Sequence, residues 1–340
     1  MTTINRQSTL GATFWQLTRR HLLVFFRNKI RVFFTFMVPF TIFLIYIFLL
    51  RDLEFNTVNS ILSDIGAREG APLTEDKRLN ILIGSVVDSW MLSGIVAIST
   101  VTVSLQTNWM IISDKETGVN RDFASSPISR NLLIGSYFLF NFIVTVIICV
   151  IFLFVCFIYL ACLGEFLLTF IDFLTILATI CFAATTSVLL TVLICSFISR
   201  DGTMASVNTI FSTVIGFLVG AYMPFATMPE WVQSICAFLP STYSCSLLRY
   251  SFMSTPIDKL AAYISESVDI SNSAQLIKAL TDNFGYNLRF FGNTVTPAWQ
   301  ALSHGVFIVI LIAANIFVGK NLITVTEGRS KKIKKKKYLK

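Results

Sequence analysis

The 340-residue chain carries a formal net charge of +8, a mean hydropathy of +0.72, 54% hydrophobic residues and only 14% charged ones. About a quarter of a soluble domain is charged, so this composition cannot cover a water-soluble core, and it equally excludes disorder, collagen and coiled coil. Uncharged runs at Phe33–Leu50, Ser89–Ser113, Asn131–Gly164, Phe173–Ser199, Gly202–Pro229 and Phe290–Gly319 are each long enough to cross about 30 Å of hydrocarbon as a helix. The expected fold class is an all-α polytopic membrane protein: an N-terminal interfacial helix, six spans, and re-entrant helices before the last of them.

Residues 1–31 lack a compact apolar stretch followed by a small-residue cleavage site, so they do not read as a cleaved signal. Thr13, Gln16, Arg20, Arg27 and Arg31 fall near one helical face, with Leu10, Phe14, Trp15, Leu22 and Phe25 over the rest. That pattern predicts a cytoplasmic interfacial helix with its cations toward lipid headgroups; a plain extension of the first span is the other reading. A transmembrane domain follows over 32–319, with spans at about 32–50, 84–112, 131–163, 173–199, 203–225 and 298–319. Asp88 is the one acid near the second span. It is expected to be interfacial and solvated, with a polar exit lining as the alternative.

Charge orients the chain. Segments 1–31, 113–130, 200–202 and 320–340 hold 19 Lys and Arg, whereas 51–80, 164–172 and 230–297 hold 8. Cations stay on the cytoplasmic side, which puts both termini inside a cell membrane. The run 231–248 is also uncharged, but Pro240 sits in its middle, and a span there would send the basic tail outward. It is read as a re-entrant helix pair within an external segment, 226–297. The tail, 320–340, reads as a lipid-attracted anchor rather than a nucleic-acid site.

Two histidines (His21, His304) and seven cysteines without a Cys-x-x-Cys pair predict no metal site, and a disulfide between Cys236 and Cys245 stays open. Nothing reads Gly-x4-Gly-Lys-Ser/Thr, the phosphate-cradling loop, so no nucleotide cofactor is expected on this chain. A channel would need a polar pore ring and a membrane acyltransferase a cluster of His, Asp or Glu. Neither pattern is evident.

Segment 114–130 is the informative one. Asp114, Glu116, Arg121 and Asp122 supply charge, Gly118 permits a turn, and a short helix can run from Val119 to Ser125 before Pro127 stops it. Ser129 or Ser126 can cap the helix that follows. A short exposed helix between two spans is a mechanical handle. With Glu116, Gly118, Ser126, Pro127, Ser129 and Arg130 at this spacing, the sequence resembles the permease subunits of type 2 ABC transporters, the type V exporter fold. One departure is Arg121, where the family usually has an acid.

A second passage supports the same resemblance: Gly220, Pro224, Met228, Pro229 and Trp231, then Pro240, Thr242 and Tyr243. The resemblance implies a coupling helix at Asp114, Glu116, Gly118, Arg121, Asp122, Phe123, Pro127 and Arg130, and external re-entrant helices at Pro224, Pro229, Trp231 and Pro240. It also implies a separate ABC ATPase subunit that holds ATP and Mg, and a second permease subunit, identical or related. Small residues Gly202, Ser206, Thr209, Thr213, Gly216 and Gly220 form one helical stripe that permits close approach, either within the subunit or at a dimer seam on the translocation path. The expected function is ATP-driven export of a hydrophobic or amphipathic substrate such as a drug, lipid or lipid-like peptide. Export of a lipid-linked polymer or bacteriocin is the alternative within transport, and an acyltransferase-like membrane enzyme the alternative outside it.

Overall fold

The computed structural model describes residues 6–68, 77–126, 128–222, 228–267, 277–278, 280–282, 284–286, 289–290 and 293–318. Pro127, Pro224 and the basic tail 320–340 lie outside the described residues. The chain is an all-α polytopic membrane protein. Five helical stretches among the described residues are long and apolar enough to cross a membrane: Lys29–Ile61, Lys77–Thr117, Arg130–Leu163, Phe170–Ser196 and Pro297–Val318.

α1 (Arg6–Arg27) ends at Asn28, whose side chain accepts from the Arg31 amide and so starts α2 (Lys29–Ile45). A π-helical turn, Tyr46–Leu50, joins α2 to α3 (Arg51–Arg68). The wider turn matters because Tyr46 and Arg51 sit five residues apart. An α-helix would point them well away from each other, whereas the π turn brings both toward the same neighbour.

α4 (Lys77–Thr107) is the central post, almost wholly buried, and is packed by α2, α7 (Arg130–Leu163), α8 (Phe170–Ser196) and α11 (Pro240–Ser267). Its hydroxyls explain how so polar a helix can be central. Thr100 pairs with Ser187, Ser104 with Thr191, and Asn108 donates to Thr191. Asn108 also separates α4 from α5 (Trp109–Thr117), which leads through Gly118 into α6 (Val119–Ser125).

The fifth expected span, 203–225, is shorter in the structure. α9 (Asp201–Leu218) has 18 residues, about 27 Å of helix, and stops beside the middle of α4. A Cβ on Gly94 would lie 3.0 Å from the Ala221 Cβ, so the turn after α9 presses directly on the central post. After α10 (Glu230–Cys236), α11 runs on toward the α7–α8 connection. Its Tyr243 packs on Phe307 of α12 (Pro297–Val318), and further along Thr255 and Lys259 reach Asp172 and the Leu167 carbonyl at the α7–α8 connection.

Pro240 stands at the break between the two helices α10 and α11, and as the first residue of α11 it occupies a position where its missing N–H costs nothing. The broken crossing leaves backbone groups inside the bundle, tolerated only where protein satisfies them. Arg249 does so: fully buried, it donates to the Gly220 carbonyl and lies over the Trp90 ring. Near α12, a two-residue antiparallel pair joins Arg289–Phe290 to Asn293–Thr294. All seven cysteines, Cys236 and Cys245 included, are free thiols.

Candidate coupling site

The two short helices α5 and α6 meet at Gly118, which has φ 86°, the left-handed region where glycine pays no steric cost. Glu116, Arg121, Asp122 and Arg130 are exposed around this corner. Pro229 and Trp231, from the external set, are exposed at the start of α10. Ser126 closes α6 by donating to the Phe123 carbonyl. The expected Ser129 side-chain cap is not formed: Ser129 stands at the N-cap of α7, and its backbone carbonyl, not its hydroxyl, receives the Leu132 and Leu133 amides.

Asp114 is the member of the coupling set that behaves differently. It is buried, and both its oxygens are held by Arg20 of α1 at 2.9 and 2.8 Å. The Tyr137 hydroxyl of α7 donates to the same carboxylate at 2.7 Å. The bidentate fork is the strong form of this pair, and it raises Arg20 further above its usual value. Arg20 also lies 5.4 Å from the Phe123 ring centroid of α6. One side chain thus ties α1 to α5, α6 and, through Asp114, α7.

Beneath Arg20, His21 stacks on Tyr137 at 4.3 Å. Burial pushes its imidazole down to about 4, against the pull of Asp114. Lys115 turns the other way and donates to the carbonyls of Cys195, Ser196 and Ile198, closing the orphan end of α8. The arrangement corrects the interfacial reading of α1 in one respect. Arg20 faces protein, and Leu10, Trp15, Leu23, Val24 and Phe26 are exposed apolar residues of that helix.

At the opposite end of the bundle a second cluster forms. Asp88, expected at the solvated interface, is fully buried; it accepts from Tyr46 and pairs with Arg51 at 3.2 Å. Arg51 also holds Glu165 at 2.7 Å. One cation here meets two acids. Burial, with Asp88 alongside, raises Glu165 to about 8 despite Arg51. Gly84 makes the room, since a Cβ there would clash with the Glu165 carboxylate. His304 is buried, hydrogen-bonded to Thr186 and stacked on Phe182.

Between α2 and α9 the surface opens into two adjoining hollows that meet at Phe34. One is an apolar cavity of about 870 Å³ lined by residues such as Phe33, Met37, Met91, Phe217 and Tyr222. The other is polar, about 340 Å³, and lies toward the α6 end, with Asn28, Arg31, Gln106 and Asp201 on its walls. Of the small-residue stripe, Gly202, Ser206, Thr209 and Thr213 are exposed along α9, Gly216 and Gly220 buried. Thr213 borders the apolar cavity, and Gly216 admits the Tyr222 ring where a Cβ would clash.

Sequence reasoning turned Arg20 toward lipid headgroups and missed Tyr137 and Arg249. Arg249 carried the one available signal, a cation inside an otherwise uncharged stretch. Arg20 and Tyr137 are identified only by what faces them in three dimensions. A family model described as "ABC-2 type transporter" matches residues 12–253, from α1 through most of α11's buried half. A search of curated proteins returns no match.

Proposed function

The chain belongs to the ABC-2 type transporter family, and from that premise we propose that it is the permease subunit of an ATP-driven exporter whose ATPase docks on α6. The family's membrane subunit is not itself the ATPase, so ATP and Mg belong to a separate ABC ATPase subunit. The observation that carries the reading is the corner at Gly118: α5 offers Glu116 and α6 offers Arg121 and Asp122 outward while Arg20 grips Phe123 and Asp114 behind them. A push on α6 is delivered to α1 and α7 as well as to α4.

The orientation follows from charge, with α6 and both termini on the cytoplasmic side of the cell membrane. The substrate is hydrophobic or amphipathic. It moves outward along α2 and α9, where the apolar cavity opens. The exposed Gly202, Ser206, Thr209 and Thr213 make this same face the seam with a second permease subunit, since small residues with nothing against them in one copy allow a close approach by another.

The test is a double charge reversal, Glu116→Lys with Asp122→Lys. Neither residue is buried, so membrane abundance should match the wild type. ATPase subunit recovered with the tagged permease should fall by roughly tenfold or more, the scale of lost interface charge pairs. Wild-type recovery at equal abundance would place the docking point elsewhere.

A further inference from the structure

The two hollows between α2 and α9 have different chemistry and share a wall, and that juxtaposition identifies a ligand class. The polar hollow holds one cation and one anion. Arg31 lies flat over Trp109, 3.5 Å from the ring centroid, and its Nε has no hydrogen-bond partner among the described residues. Asp201, the first residue of α9, is exposed on the facing wall. The three ion pairs among the described residues involve neither. Asn28, Gln106 and Asn208 add neutral polar groups around them.

Directly beyond Phe34 the lining turns to Phe, Met, Ile and Val, over a volume more than twice as large. Both volumes fall in the range of formed small-molecule sites. Arg31 and Asp201 feel each other's charge without forming a contact ion pair; the guanidinium on its aromatic shelf suits a planar or tetrahedral anion, and the carboxylate opposite suits an ammonium. A purely apolar drug would leave both charges idle, and a sugar would leave the apolar hollow unfilled.

We propose that this groove binds a zwitterionic amphiphile, its anionic group on Arg31, its ammonium at Asp201, and its acyl chain along Phe33, Phe34, Met37 and Phe217. The proposal rests on the transport reading for its purpose but not for its test. Binding requires no ATPase.

Full-length permease in dodecyl maltoside micelles is titrated with three probes of equal chain length: a lysophosphatidylethanolamine, a lysophosphatidylglycerol and an alkylammonium. In the wild type the zwitterion binds tightest. Arg31→Gln weakens the zwitterion and the anion about tenfold or more, the range of a charge-assisted hydrogen bond, and does not weaken the alkylammonium, which loses a competing cation near Asp201. Asp201→Asn weakens the zwitterion and the alkylammonium and spares the anion. Arg31→Lys, which keeps the charge and loses the stacked fork, falls between. Equal binding of all three probes to the wild type overturns the proposal without any variant, as does a ranking that neither substitution alters. Loss of export with this ranking intact would instead count against the transport reading.

Discussion

The two charge clusters at opposite ends of the bundle use the same parts and differ in their balance. At the α6 end one arginine, Arg20, meets one acid, Asp114, with a tyrosine completing the site. At the other end one arginine, Arg51, meets two acids, Asp88 and Glu165, again with a tyrosine. The first is neutral and closed, and it fixes helices to one another. The second carries an excess acid, so one of its carboxyls holds a proton that a change of pH can remove. A balanced cluster makes a rigid joint, whereas an unbalanced one makes a joint whose grip depends on protonation.

Breaking the balanced joint should have the largest effect. Arg20→Gln leaves the Asp114 carboxylate, only 4% exposed, with Tyr137 alone. Orphaning one member of a buried pair costs about 3–5 kcal/mol; because Arg20 itself is 33% exposed, on the order of 2 kcal/mol is expected here. Unfolding of the purified permease measures it. Adding Asp114→Asn to Arg20→Gln should recover part of the loss, because the stranded charge is then gone. Additive losses would show that the two residues do not act as a pair.

The comparison sharpens with pH, where the two ends carry opposite signs. His21 is held neutral down to about 4 in the folded chain and to about 6.5 when unfolded. The unfolded state therefore binds more protons between those values, and stability falls as pH drops through that window. Glu165 holds its proton up to about 8 when folded, against a reference value of 4.5. Here the folded state binds more protons, and stability falls as pH rises from about 4.5 toward 8. Thermal unfolding across pH should show both limbs, with His21→Phe flattening the acid limb and Glu165→Gln the alkaline one. Persistence of the alkaline limb in Glu165→Gln would mean that the excess acid is not where the proton resides.

Much of this fold is legible in the sequence because membrane helices are written as long uncharged runs, and α7, α8 and α12 follow theirs closely. The corner at Gly118 is legible for the same reason turns usually are: a glycine between charges, followed by a proline. What pattern could not show is which charges face inward. Asp114 and Glu116 stand two residues apart in one charged segment, yet one is buried and the other exposed, a difference set by Arg20 and Tyr137 far away in sequence. A lone acid near a span reads as interfacial, as Asp88 does; Tyr46 and Arg51, aligned by a π turn that no residue pattern announces, are what make its burial tolerable. The run 202–229 reads as one span because apolar length counts residues and cannot see that the helix stops at Leu218.

The central claim is that Arg20 makes α1 and α6 one rigid lever. Spin labels at Gln16→Cys and Ser125→Cys, both exposed positions, in a chain whose native cysteines are replaced, report the distance between those helices; a second pair at Ser125→Cys and Ser206→Cys reports α6 against α9. With the ATPase subunit docked, ATP and vanadate should leave the first distance unchanged and shift the second, and Arg20→Gln should broaden the first. A nucleotide-driven change in the α1–α6 distance with Arg20 intact would contradict the account.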